Sequence, residues 1–171
     1  TDLLAAGDLA APVKAGGYAA KARAVCESAE SEAELARALR RLRHREMLRI
    51  AIRDLAGRAD LFESMRDLSH LAEAVIDAAV SRLFEWMQAD FGSPRDAEDR
   101  PVLPVVLGVG KLGGEELNFS SDVDLMFGFA AGGRTRGGER SITHEEFFSK
   151  LYRRLINLLS KNTADGFVFR V

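Results

Sequence analysis

The chain has 171 residues, 47% of them hydrophobic and 29% charged, with a net charge of −2. That is enough apolar material for one domain, alone or with a helical appendage, and the balanced charge gives no bulk pull toward nucleic acid or membrane. A single cysteine, Cys26, excludes an internal disulfide framework and fits a reducing cytoplasm, and no apolar run nears the ~20 residues that cross a bilayer. No basic-then-apolar leader opens the chain. Starting at Thr1 and stopping at Val171 inside an expected strand, it reads as a fragment.

Residues 1–17, rich in Ala and Gly with Pro12 and Gly16-Gly17, are expected to be poorly ordered or a short helical lead. From Tyr18 to about Leu55 the pattern is helical, with Leu35, Leu39, Leu42, Leu48, Ile52 and Leu55 tracing one apolar stripe before Gly57. Seven arginines from Arg37 to Arg53 are interleaved with apolar residues and with Glu46, next to Glu32, Glu34 and Asp54. That mixture points to a solvated, salt-bridged helix face rather than to nucleic-acid binding. A second long helix is expected from near Asp67 to Phe91, with Leu68, Leu71, Ala72, Val75, Ile76, Ala79, Leu83 and Met87 inward and Gly92-Ser93-Pro94 as its stop. Residues 92–101 form a polar loop that separates a helical N-terminal region (1–92) from a second domain (101–171).

Beyond that loop the periodicity changes. Leu103–Val109 and Val123–Phe129 are short apolar runs, which predicts buried strands. Residues 130–142 make a Gly/Arg loop, and Thr143 with Glu146 is a capping box for a helix to about Lys161. Its core face would be Phe147, Phe148, Leu151, Leu155, Ile156 and Leu159, with one of the adjacent phenylalanines covering a sheet edge. Asn162–Gly166 turns, and Phe167–Val171 begins a third strand. The expected class is α+β, with helices packed against a small mixed sheet.

The chemistry concentrates between the two strands. A strand, Gly113-Gly114, seven residues, then Asp122-Val123-Asp124 opening the next strand is a nucleotidyltransferase-like arrangement. With a side-chain period of two, Asp122 and Asp124 point to one face, where their mutual repulsion is relieved by a cation. Gly113 and Gly114 allow positive φ and close ligand approach. Glu115–Leu117 could start a helix toward an anion, and Ser120 and Ser121 add hydroxyls. One or two Mg²⁺ or Mn²⁺ ions on the acids would bridge nucleotide phosphates, supporting an in-line displacement at phosphorus. The bland alternative is a solvated strand start with a glycine turn.

The wider string Gly110-Lys111-Leu112-Gly113-Gly114-Glu115-Glu116-Leu117-Asn118-Phe119-Ser120-Ser121-Asp122-Val123-Asp124-Leu125 resembles the bifunctional glutamine synthetase adenylyltransferase/adenylyl-removing enzymes, within the polymerase-beta-like nucleotidyltransferase superfamily. Leu39–Ala51 and Asp165–Val171 match as well, so the resemblance runs from about Leu35 to the C-terminus. The ending Asp165-Gly166-Phe167-Val168-Phe169-Arg170-Val171 and the loop Thr135–Arg140 look more like the N-terminal, deadenylylating half. The resemblance implies an incomplete nucleotidyltransferase domain that removes AMP from a tyrosine of glutamine synthetase by phosphorolysis, releasing ADP and regulating nitrogen assimilation in the cytoplasm. It assigns Asp122 and Asp124 to metal and Gly113, Gly114 and Ser121 to nucleotide phosphate. It also implies a PII-type signalling partner, and a third acid just after Arg170-Val171. Without that acid, this chain alone is expected to be weak or inactive. Adenylyl transfer from ATP on the same fold, and a non-catalytic nucleotide-sensing module, remain the competing readings.

Lys111 is equally a phosphate contact and a solvated turn lysine. Arg134, Arg136 and Arg140 are read as solvated loop charge that could otherwise hold phosphate or the protein substrate. His44, His70 and His144 lack the spacing of zinc ligands, Cys26 has no activating partner, and Trp86 is a packing residue.

Overall fold

The computed structural model describes residues 9–171. Residues 1–8 of the expected lead therefore lie outside the description. From Leu9 the chain forms turns rather than a helix, and the Leu9 carbonyl accepts a 3.0 Å hydrogen bond from Arg53 Nη1. Helices α1 (Gly17–Glu27) and α2 (Glu32–Leu55) replace the single helix expected from Tyr18. Ser31 makes the break: its Oγ accepts from Glu34 N, while Glu34 Oε2 accepts from Glu30 N. This reciprocal pairing supplies partners to amides that a new helix start leaves unbonded.

Helix α3 (Leu61–Phe91) is capped by Asp60, whose Oδ1 accepts from Glu63 N at 2.7 Å. Its expected inner residues, from Leu68 to Met87, are all buried. The helices α1, α2 and α5 (His144–Ser160) all pack against α3. One hydrophobic cluster joins Leu35 and Leu39 of α2, Leu71, Val75 and Leu83 of α3, and Phe147, Phe148, Leu151 and Leu155 of α5. Thr143 caps α5 as expected, its Oγ1 accepting from Glu146 N. Ile156 lies at the exposed margin, whereas Tyr152 and Leu158 are buried. Both Phe147 and Phe148 are fully buried, and Phe148 stacks on Phe129 at 4.7 Å.

Of the expected apolar stripe of α2, Leu35, Leu39 and Leu42 are buried, and Ile50 beside it is buried as well. Leu48 (55% exposed) and Leu55 (88%) face solvent, and the buried face continues as Glu46, Arg49 and Arg53. Spacings of four, three and four keep these three in line with Leu42, so helical geometry carries them inward. Arg49 donates to Glu46 at 3.1 Å, to Asp67 at 2.9 Å and to the Tyr18 hydroxyl at 2.6 Å. Arg53 pairs with Glu63 at 2.6 Å. Part of the arginine run is thus an internal ion-pair network joining α1, α2 and α3.

Two antiparallel strand pairs replace the expected mixed sheet. β1 (Gly92–Arg95) pairs with β4 (Arg134–Gly137), so parts of the expected polar loop and Gly/Arg loop are strands. β2 (Pro104–Val109) pairs with β3 (Asp124–Phe129), with Val109 opposite Asp124 and Pro104 opposite Phe129. The link between β2 and β3 holds only the single turn α4 (Gly110–Gly113), which reverses the chain rather than carrying it back across the sheet. The pair is covered on one side only. Val106, Leu125, Phe127 and Phe129 pack on the core, while Val105, Leu107 and Met126 are exposed.

Tyr152 staples this pair to α5. Its hydroxyl donates to Gly128 O at 2.5 Å and accepts from Val105 N at 3.2 Å, and its ring stacks on Phe127 at 4.6 Å. Phe167–Val171 is not a strand. The amides of Val168 and Phe169 both bond Leu159 O at the end of α5, leaving Val123 N to Arg170 O as a single backbone contact beside β3. No helix among the described residues is long and apolar enough to cross a membrane.

Candidate active site

Asp124 is the first residue of β3 and points to the face that carries Met126, away from the core. Asp122 lies two residues earlier and is also exposed. Between them Val123 is buried and holds the backbone in place, its amide bonded to Arg170 O at 2.8 Å. Two carboxylates are therefore presented to solvent by a segment anchored on its other side.

The turn next to them is built differently from the sequence expectation. The helical turn is Gly110–Gly113, and Glu115–Leu117 forms no helix. Positive φ falls at Gly110 (57°) and Glu115 (56°), not at Gly113 or Gly114. A Cβ on Gly110 would sit 2.7 Å from Asp124 Oδ2, so this glycine lets the carboxylate close onto the turn. A Cβ on Gly113 would lie 2.7 Å from Gly108 O, so the missing side chain there serves packing of α4 against β2. Gly114 has no such crowding.

The loop from Glu115 to Ser121 is held from both ends. Leu117 is buried and its amide donates to Ser69 Oγ of α3 at 3.2 Å, while His70 Nε2 lies 3.7 Å from Glu115. Asn118 Oδ1 accepts from the amide and hydroxyl of Ser120, and Ser121 Oγ accepts from Asn118 N. This side-chain-capped turn places Ser121 directly before Asp122. Lys111 is exposed on α4, one residue from Gly110.

Arg170, absent from the expected site, closes it: Nε donates to Asp122 Oδ1 at 2.6 Å and Nη2 to Ser120 O at 2.8 Å. Gly110, Asn118 and Arg170 were thus missed. The Gly108-x-Gly110 spacing and Asn118 two residues before Ser120 were readable signals for the first two. Arg170 lies 48 residues from Asp122 in sequence, with no local signal.

A cleft of 580 Å³ adjoins the turn, between Glu73, Ile76, Asp77 and Val80 of α3 and the β2 strand, with Leu112 and Gly113 at its end. A larger cleft of 760 Å³, between residues 12–19 and α3, contains none of the signature residues.

As a metal site, the donor set is two hard carboxylate oxygens, which suits Mg²⁺ or Mn²⁺ rather than zinc. Exposure of both acids leaves the oxygens not held by Arg170 free for a cation. Among the described residues no group of three or more His, Cys, Asp or Glu converges on a metal position. His144 is a buried core residue, its Nδ1 2.7 Å from Ala131 O. Arg136 pairs with Asp99, and Arg134 donates to Ser141 O.

The family model for glutamate-ammonia ligase adenylyltransferase matches residues 1–171. A bifunctional glutamine synthetase adenylyltransferase/adenylyl-removing enzyme of Thioalkalivibrio sulfidiphilus is 54% identical over 99% of this chain and 17% of its own length. The proteins of the same description from Pseudomonas putida and Pseudomonas aeruginosa are 49% and 47% identical, again over 99% of this chain and 17% of theirs. The chain thus spans about 17% of the length of these curated relatives. Matched along its whole length, it belongs to the glutamate-ammonia ligase adenylyltransferase family.

Proposed function

We propose that this chain carries the nucleotidyl-transfer site of an enzyme that removes AMP from an adenylylated tyrosine of glutamine synthetase by phosphorolysis. The observation that carries the reading is the pair Asp122 and Asp124 on one exposed face, with Asp124 closed against the Gly110 turn. The relatives' description as both adenylyltransferases and adenylyl-removing enzymes supports the reaction class and glutamine synthetase as the partner. The likeness of Asp165–Val171 to the deadenylylating half favours removal over transfer.

Asp122 and Asp124 would hold Mg²⁺ or Mn²⁺. When bound, the metal neutralises phosphate charge and orients the reacting groups. An oxygen of inorganic phosphate attacks the adenylyl phosphorus, the bond to the tyrosine oxygen breaks, and ADP and tyrosine leave, the phenolate taking a proton from water. The protein's contribution is positioning and charge. The Asn118 turn fixes the approach to Asp122, Gly110 gives Asp124 room, and Lys111, Gly113, Gly114 and Ser121 are the residues proposed to meet phosphate. A cytoplasmic setting and a PII-type signalling partner belong to the same proposal.

The test uses a full-length protein carrying this chain, with adenylylated glutamine synthetase, phosphate and Mg²⁺. Phosphate-dependent ADP release is expected, and Asp122→Asn should lower it at least about a hundredfold. Pyrophosphate from ATP and unmodified synthetase, without ADP release, would move the assignment to adenylyl transfer. Nucleotide binding with neither product would favour a sensing module.

A further inference from the structure

We propose that Arg170 is a positioning residue that makes this site take a divalent cation together with a phosphate-bearing ligand, in preference to the bare ion. The inference rests on the cation role proposed above for Asp122 and Asp124. Arg170 Nε sits 2.6 Å from Asp122 Oδ1, on the carboxylate that would meet the metal, and Nη2 holds Ser120 O at 2.8 Å. Both charged side chains are more than half exposed, at 55% and 63%. The pair is therefore free to exchange partners at small cost.

Phe167 limits where the guanidinium can go. Arg170 lies 5.6 Å from its ring centroid, and Arg43 of α2 lies 5.1 Å from the same centroid and 5.4 Å from that of Phe169. Burial, and then the charge of Arg170, hold the Arg43 guanidinium below its usual range. Two guanidinium groups thus share one ring beside Asp122.

A bare dication arriving at Asp122 must share the carboxylate with the guanidinium on Oδ1 or displace it, and the two positive charges repel. A cation carrying phosphate reverses the balance. The phosphate offsets the positive charge that the ion adds and gives the arginine fork new acceptors when it leaves Asp122 Oδ1. Arg170 therefore opposes the bare ion and favours the ion–phosphate pair, for a nucleoside diphosphate as for inorganic phosphate.

The test measures two affinities in a full-length protein carrying this chain, each read as the difference from the same protein with Asp122→Asn and Asp124→Asn: Mn²⁺ alone, by electron paramagnetic resonance of the free ion, and ADP at saturating Mn²⁺, by calorimetry. Arg170→Gln should bind Mn²⁺ alone roughly tenfold more tightly, since the nearby positive charge is gone. It should bind ADP at saturating Mn²⁺ roughly tenfold more weakly, since a charge-assisted contact is lost. Arg170→Lys, which keeps the charge without the fork, should restore the Mn²⁺ affinity and only part of the ADP affinity. A merely structural role would shift both affinities in one direction, and that result, or no shift, overturns the inference. The variant Asp122→Asn with Asp124→Asn separates the two readings. If the parent protein binds no more Mn²⁺ than this variant does, the cation assignment itself fails and the inference falls with it.

Discussion

The Arg49 cluster and the Arg170 pair use the same groups at similar distances, yet in opposite surroundings. Arg49 and Glu46 are each 1% exposed, and Arg49 meets Asp67 and Tyr18 where α1, α2 and α3 join. Arg170 and Asp122 meet in open solvent at the lip of β3. Buried charges are costly to separate, because each needs the other in place of water. Exposed ones are worth little and exchange readily. One cluster fixes the arrangement of helices behind the sheet; the other leaves its carboxylate available to a ligand. Two predictions probe the buried side of this contrast and one the exposed side.

The largest effect is expected at Arg49. Arg49→Met removes the ion-pair partner of Asp67 and leaves Glu46, among the described residues, with Lys21 at 2.7 Å, and should cost about 3–5 kcal/mol in urea unfolding. Replacing Glu46, Arg49 and Asp67 together by apolar residues of similar volume should recover most of that loss. If Arg49→Met alone unfolds at the parental midpoint, the cluster is not the internal tie described here.

This network also marks where the sequence stopped being legible. Leu35 to Leu42, the face of α3 and the Thr143 cap were readable because apolar spacing and capping residues act within a few positions. Arg49 and Arg53 look like a solvated face, because their acids Asp67 and Glu63 lie 18 and 10 residues away on another helix. The break at Ser31 was carried by a serine and glutamate set among good helix formers. Strands β1 and β4 lack an apolar alternation, and their pairing spans a gap that local patterns do not see. In the site, the shared face of Asp122 and Asp124 follows from period two alone. The identity of the positive-φ glycine, Gly110 rather than Gly113 or Gly114, depends on how close Asp124 comes to the turn.

The buried region should also respond to alkali. Burial pushes the Cys26 thiol up from 9.0 to about 12. Burial, and then the Asp67 carboxylate, push the Tyr18 phenol up as well. Both are acids that keep their protons longer in the folded chain than in the unfolded one. Above about pH 9 the unfolded chain binds fewer protons, so stability that is complete below that pH falls as pH rises. The urea midpoint should decline between about pH 9 and 12, and Cys26→Ala and Tyr18→Phe should each flatten that decline. An unchanged slope in both variants would mean that their protons are not held by the fold.

The smallest stability effect is expected at Arg170, and its smallness matters for function. An exposed pair such as Arg170 with Asp122 contributes about 0.5 kcal/mol or less, so Arg170→Gln should leave the urea midpoint almost unmoved. The backbone contact that orders this region, Val123 N to Arg170 O, does not depend on the side chain. A shift approaching that of Arg49→Met would show that Arg170 supports the fold, and any change in ligand affinity would then follow from disorder near β3. A midpoint within error, alongside opposite changes in Mn²⁺ and ADP affinity, separates the two clusters by role: one holds the helices, and the other sets the charge that the acids present to a ligand.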